Sequence, residues 1–262
     1  MNSHPRYPYA FPIVRSLSLL LVLLVLSACD DDDANPQPAL LTGPEVTVGD
    51  GEAWTEITYA ANGEPTSVAV VFTEDALDNL PTGSPHAHEF LLPLPEEADV
   101  QPYTHATLDW NQHGHAPPGV YDVPHFDIHF YFISEAERDL IGPNDSTEFN
   151  RPLPEAQLPP MYLETPGGVP RMGAHVIDLQ SPEVAGSGEF THTLIYGKYN
   201  GELNFLEPMA AESFLRTQPD VTVPVRRPQS FGRSGYFPEN YRISFDAATR
   251  TYRIGLLDLS YE

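Results

Sequence analysis

From residue 125 to residue 132 apolar and polar residues alternate without a break. A β-strand points successive side chains to opposite faces, so Phe126, Ile128, Phe130 and Phe132 share one face and His125, Asp127, His129 and Tyr131 the other. Aromatic and β-branched residues at period two specify a strand with one buried face. Four histidines (His113, His115, His125, His129) and three aspartates (Asp109, Asp122, Asp127) fall within residues 109–132. The pattern therefore fixes both a strand and the place where the chain concentrates its chemistry.

Spacing sets which of these side chains can meet. At about 3.3 Å per residue, i and i+2 lie roughly 6.6 Å apart and i and i+4 roughly 13 Å apart. His125 and His129 reach one ion together only if the strand bends or begins after His125. Pro124 permits a late start, because proline suits the first residue of a strand. The loop Ala116-Pro117-Pro118-Gly119 lets His113 and His115 turn back toward the same face.

The same two signals, alternation and turn residues, recur along the chain. Strands are expected at 54–60 and 66–73 around Asn62-Gly63, and at 88–94, 103–110, 126–134, 174–179, 190–199, 202–206, 221–225, 241–245 and 251–259. Asn200-Gly201 is the clearest hairpin turn. Short helices are expected at 74–80, 135–141 and 208–215, the last with Pro208 in its first turn. Residues 144–168 are proline-rich and lack a period, which reads as a long surface loop. With 28 prolines, 18 glycines and few helical stretches, the fold class is mainly antiparallel β, a sandwich or jelly-roll-like barrel with two or three short helices.

The N-terminal segment carries a different instruction. Arg6 and Arg15 precede an apolar run, 17–26, of secretory length and too short for an ordinary membrane span. Leu26-Ser27-Ala28-Cys29 has the form of a bacterial lipobox, and Cys29 is the single cysteine. The expected organisation is a signal peptide at 1–28, a lipidated Cys29 opening an acidic, proline-bearing tether at 29–44, and one β-rich domain at 45–262. A diacylated cysteine supplies the two chains that stable anchoring needs. The expected location is the cell envelope, on the periplasmic face of a membrane or on the cell surface. From Cys29 onward the chain has 11 basic and 37 acidic residues, a net charge of −26. That field opposes nucleic acid and favours cations. A homo-oligomer is left open.

Nine of the ten histidines lie between His86 and His192, and histidine is the commonest nitrogen ligand for transition metals. The expected ligands of a divalent metal are His115, His125, His129, His175 and Asp127, with Asp127 also the candidate general base. Zinc is the default ion for such a set, with iron, manganese and copper compatible by ligand type. The alternative is a hydrogen-bonded network in which Asp109, Asp122 and tyrosines hold buried histidines. His86 and His88 fit a solvated turn as well as a ligand pair, and His105 and His192 fit hydrogen-bonded structural roles. Glu207 divides evenly between the site and a surface or capping role. The order His125-Phe-Asp127 followed by His175 matches a two-histidine, one-carboxylate triad, although no arginine stands where a co-substrate carboxylate would be held. No Gly-x-Ser-x-Gly elbow, phosphate loop or free thiol nucleophile is present.

Three segments, at 114–131, at 172–175 (Met-Gly-Ala-His) and at 196–209, resemble a bacterial secreted or lipoprotein family of unknown function. This TTHB-type family has as its prototype a Thermus protein under the control of an envelope-stress sigma factor. The likeness spans about Pro44 to Leu259. It implies an envelope location and no settled activity. Three functions follow as expectations: a lipid-anchored metal-binding or stress-response protein, a metal-dependent enzyme of hydrolase or non-haem oxygenase type, or a structural envelope protein.

Overall fold

The computed structural model describes Met1 and residues 39–84 and 86–262. The signal-peptide segment, Cys29 and the tether as far as residue 38 lie outside the described residues. The strands, all within the unit Asn35–Glu262, are β1 (Ala39–Thr42), β2 (Val46–Val48), β3 (Gly51–Tyr59), β4 (Pro65–Thr73), β5 (His88–Pro93), β6 (His105–Asn111), β7 (His125–Tyr131), β8 (Tyr162–Glu164), β9 (Ala174–Asp178), β10 (His192–Tyr199), β11 (Glu202–Ala211), β12 (Asp220–Pro224), β13 (Tyr236–Phe237), β14 (Asn240–Asp246), β15 (Thr251–Leu257) and β16 (Ser260–Tyr261). Four one-turn helices accompany them: α1 (Glu135–Arg138), α2 (Ser146–Phe149), α3 (Pro182–Ala185) and α4 (Glu212–Leu215). Among the described residues no helix is long and apolar enough to cross a membrane.

Two seven-stranded antiparallel sheets form an open sandwich, not a closed barrel. One runs β1-β3-β4-β15-β14-β12 with β2 beside β3; the other runs β5-β6-β7-β11-β10-β9-β8. Their inner faces interdigitate into one apolar core. Val68, Val70 and Phe72 of β4 and Ile254 and Leu256 of β15 pack in it with Leu108 and Trp110 of β6 and Phe126, Ile128 and Phe130 of β7. Phe72 and Phe126 meet across the sandwich with ring centroids 5.8 Å apart. The alternation in β7 thus selects its inward face as expected.

The other face of β7 departs from expectation. All seven residues are buried, His125, Asp127 and His129 included. The reason lies in distant chain: Tyr121, Ile177, Phe190, Ile195 and Met209 form a second apolar cluster over this side of the sheet. Period-two alternation distinguishes the two faces of a strand; it does not say whether a later segment will cover the polar one.

Three further expectations need correction. The helix expected at 208–215 is strand for its first half: β11 runs to Ala211 because β7 and β10 flank it, with Pro208 opposite Leu194, and only α4 is helical. The loop expected at 144–168 contains α2, whose Phe149 is buried, and β8, which extends the sheet by pairing with β9. The expected tether, 29–44, gives way to strand at β1, which pairs with β3 from Ala39↔Tyr59 to Thr42↔Glu56. The hairpin at Asn200-Gly201 forms as expected, with φ of 55° and 80°, the paired left-handed conformation that suits a two-residue turn.

Ile128 is fully buried at the centre of the core. Ile128→Ala is expected to cost about 2–5 kcal/mol of unfolding free energy, measured by denaturant titration; a loss below about 1 kcal/mol would contradict close packing between the sheets.

Candidate metal centre

The polar face of the second sheet is assembled by register. Asn111, Asp109 and Thr107 of β6 stand opposite His125, Asp127 and His129 of β7. On the other side, Leu206 pairs with Phe130 and Met209 with Asp127, which sets Glu207 beside His129. His175 of β9 lies opposite Gly197 of β10, which lies opposite Phe205 of β11. A Cβ on Gly197 would meet the Phe205 ring at 2.1 Å. Glycine there lets that ring lie flat enough to support both His129 and His175, at centroid distances of 4.9 and 5.8 Å. Residues 112–121 then fold back, closed by the bridge His115↔Tyr121, and return His115 to the face.

Two groups of potential ligands result, each of two histidines and one carboxylate. His115, His125 and Asp127 form one; His129, His175 and Glu207 form the other. Within each, one donor atom per residue lies within 4.8 Å of the others. Asp127 stands between two imidazoles, with Oδ1 3.0 Å from His125 Nε2 and Oδ2 3.1 Å from His115 Nε2. Glu207 repeats the arrangement, with Oε1 and Oε2 each 3.5 Å from His129 Nε2 and His175 Nε2. Ligands about 2 Å from a tetrahedral ion are roughly 3.3 Å from one another. The histidine–carboxylate contacts of both groups, 3.0–3.5 Å, have that spacing.

The five expected ligands therefore do not meet at one point. His129 and His175 turn away from Asp127 to Glu207, and the triad order His125, Asp127, His175 is split between the groups. The cause is sheet order: β11 and β10 stand between β7 and β9. His86 and His113 line the cavity described below without joining either group. His88 lies opposite Trp110 on β5. His105 stacks on Tyr131 at 4.7 Å and pairs with Thr104 at 2.9 Å, and His192 pairs with the Tyr241 hydroxyl at 3.0 Å.

The outer ring nitrogens fix the tautomers. His115 Nδ1 donates to the Ala116 carbonyl at 2.8 Å and His125 Nδ1 to the Val123 carbonyl at 2.7 Å. A carbonyl only accepts, so a neutral ring keeps its proton on Nδ1 and turns an Nε2 lone pair toward Asp127. At 3.0 Å from a carboxylate oxygen that contact needs a proton or a cation between the two atoms. His129 Nδ1 faces Thr107 Oγ1 at 3.1 Å and the Asp109 carboxylate at 3.4 Å. Pinning the far nitrogen to a carbonyl or carboxylate is how metal-ligating histidines are oriented. Among the described residues, His125 Nε2, Asp127 Oδ1, His129 Nε2 and Glu207 Oε2 are buried with no hydrogen-bond partner.

Charge is strongly displaced. Burial would raise Asp127, but the His125 and His115 imidazoles overcome it and hold the carboxyl well below its ordinary range. Burial would lower His115, but Asp127 dominates and lifts it to about 9. Burial drives Asp109 and Glu207 well above the usual carboxylate range, and neighbouring carboxylates add to both shifts. Burial also pushes His129 down to about 3 and His175 to about 4. Beside this acidic face Arg138 is fully buried, set over the Tyr131 ring at 4.6 Å and paired with Glu89.

Both groups border one cavity of about 860 Å³, reached by His115, Asp127 and Asp109 from one side and His175 from the other. Residues 165–168, read from sequence as the end of a surface loop, form part of its wall together with Val169 and Pro170. Sequence reasoning left Glu207 undecided and did not assign Asn111 or Tyr121. The signal for Glu207 was the hairpin: counting from Asn200-Gly201 places it in β11 once Pro208 is not taken as a helix start. Asn111 donates to Asp127 Oδ2 at 2.7 Å, and Tyr121 lines the cavity with a buried, unpartnered hydroxyl.

Fold and site together define a two-sheet β-sandwich whose buried histidine–carboxylate face opens into a cavity. Residues 61–110 match the model of the TTHB210-like family, described as hypothetical protein TTHB210, in support of the TTHB-type resemblance. The match covers Asp109 and none of the six residues of the two groups. No curated protein and no solved structure matches the chain.

The His115–Asp127 pair has a defined pH signature. A raised His115 contributes fully below its unfolded value near 6.5 and loses that contribution as pH rises through about 9. A depressed Asp127 contributes above its unfolded value near 3.9 and loses that contribution as pH falls through its lower folded value. The stability difference between the metal-free wild type and Asp127→Asn is expected to be largest between roughly pH 4 and 6.5. Denaturation across pH measures it, and a difference that grows toward pH 9 would contradict the pairing.

Proposed function

We propose that this chain is a lipid-anchored envelope protein of metal-binding function, holding a divalent cation on the histidine–carboxylate face. The carrying observation is the set of buried Nε2 and carboxylate oxygen atoms that face one another at ligand spacing without hydrogen bonds. A cation between them satisfies both lone pairs at once. The alternative, a purely structural hydrogen-bond network, needs a proton in each of these contacts; a contact that lacks one leaves its atoms unpaired in a buried place, at a cost of about 1–3 kcal/mol per group. Zinc fits two imidazoles and a carboxylate, and iron or manganese fits the same set with more open positions. On this reading His115, His125 and Asp127 hold one ion, and His129, His175 and Glu207 offer a second position.

A second reading, a metal-dependent enzyme, is favoured by the cavity. Three protein ligands beside an open space are the mark of a catalytic site, whereas structural ions are closed by four. Such a metal would supply Lewis-acid activation of a bound water or ligand. Asp109, whose carboxyl burial pushes well above its ordinary range, and the Tyr121 hydroxyl line the same cavity and could carry a proton there. Hydrolase and oxygenase types remain distinct by the ion bound. The lipobox-like segment at 26–29 supports an envelope location, with Cys29 as the membrane link.

Elemental analysis of the purified protein is expected to find one or two divalent ions per chain, and His125→Ala with His129→Ala is expected to remove them. Unchanged metal content in the double variant, or none in the wild type, would sink the metal reading. Cys29→Ser is expected to move the protein from the membrane to the soluble fraction of its bacterial host; retention in the membrane would remove the lipid anchor.

A further inference from the structure

The wall chemistry of the cavity bears on what it admits. Three carboxylates, Glu89, Asp109 and Asp127, border it, and among the described residues no lysine or arginine does. The nearest guanidinium groups are already committed. Arg171 donates to Glu89 at 2.9 Å and to Asp139 at 2.8 Å, and Arg138 pairs with Glu89 and donates to the Arg171 carbonyl at 2.9 Å. An anion entering here finds no lysine or arginine, meets a His115 imidazole already paired with Asp127, and crosses the field of a chain with net charge −24.

The remaining wall is largely apolar and stiff. Pro117, Pro118, Pro166 and Pro170 line the cavity with Val169 and Met172, among polar side chains such as Asn111, Gln112 and Thr165. Proline fixes its own φ, so these walls lose little freedom when a ligand enters. The volume of about 860 Å³ falls in the range of pockets that enclose drug-sized organic molecules.

We propose that the cavity binds a small, largely apolar organic molecule, uncharged or cationic, that presents one nitrogen or oxygen atom to the metal face. Phosphate esters and carboxylates are disfavoured by the same walls, whose carboxylates Glu89, Asp109 and Asp127 offset the charge of the ion. This inference rests on the metal reading given above and assigns that site its class of ligand. The polar atom goes to the ion, the apolar body to the proline wall, and the carboxylates repel competing anions.

The test uses the purified domain with its metal content measured in the same sample. Two probes of similar size are titrated calorimetrically, 4-phenylimidazole as the uncharged nitrogen donor and phenyl phosphate as the anion. The expected result is binding of 4-phenylimidazole at least about tenfold tighter than phenyl phosphate. Val169→Arg, at a partly exposed position of the wall, is expected to narrow that ratio by strengthening phenyl phosphate severalfold. Metal present with phenyl phosphate equal or tighter, or with neither probe bound, overturns the proposed ligand class and leaves the metal reading standing. Absence of metal overturns both. Retained preference in Val169→Arg with unchanged phenyl phosphate affinity removes charge as the basis of selection.

Discussion

Burial of charge-bearing groups on the second face of β7 is the constraint on which the rest of this structure depends. Asp109, Asp127 and Glu207 are almost wholly removed from water, together with His125 and His129. Transfer of a carboxylate from water costs several kcal/mol even after relaxation, so such groups survive only when something compensates them. Part of the compensation is internal: the His125 and His115 imidazoles hold the Asp127 carboxyl well below its ordinary range, while burial pushes Asp109 and Glu207 well above theirs and favours their neutral forms. His125 Nε2, Asp127 Oδ1, His129 Nε2 and Glu207 Oε2 remain buried without hydrogen-bond partners, and a cation between them would satisfy them.

The scaffold is arranged to keep those lone pairs in place. β7 is central in its sheet, held by β6 and β11, so none of its side chains can shift without disturbing two ladders. Gly197 gives the Phe205 ring its room, and that ring supports the imidazoles of His129 and His175. The Ala116 and Val123 carbonyls orient His115 and His125 from the loop side. Arg138, buried over Tyr131, brings fixed positive charge next to an acidic sheet face. Positioning by strands and by second contacts is what a metal centre requires, since a displacement of 1 Å at a ligand is enough to loosen it.

The sandwich was legible in the sequence where a local rule decides the outcome. Alternation located the strands and chose the inward face of β7; Asn200-Gly201 fixed a hairpin because two left-handed residues match the twist of the flanking strands. The rules failed where a neighbour overrode them. Pro208 is an acceptable helix start taken alone, but two flanking strands draw it into β11. Residues 144–168 have no period, yet β8 within them finds an edge of the sheet at β9.

For the site, the sequence by itself determined the inventory: a histidine-rich strand with a polar face, further histidines on flanking loops and strands, and an acidic chain. Only the tertiary structure decided the partners. Sheet order sent His175 to Glu207 and left Asp127 between His115 and His125, so that the five ligands the sequence joined, together with Glu207, make two groups of three. It also buried the polar face and opened a cavity beside it. The physical reason is that a strand's period specifies directions, which are local, while distances between strands depend on order and register, which are set by the whole sheet.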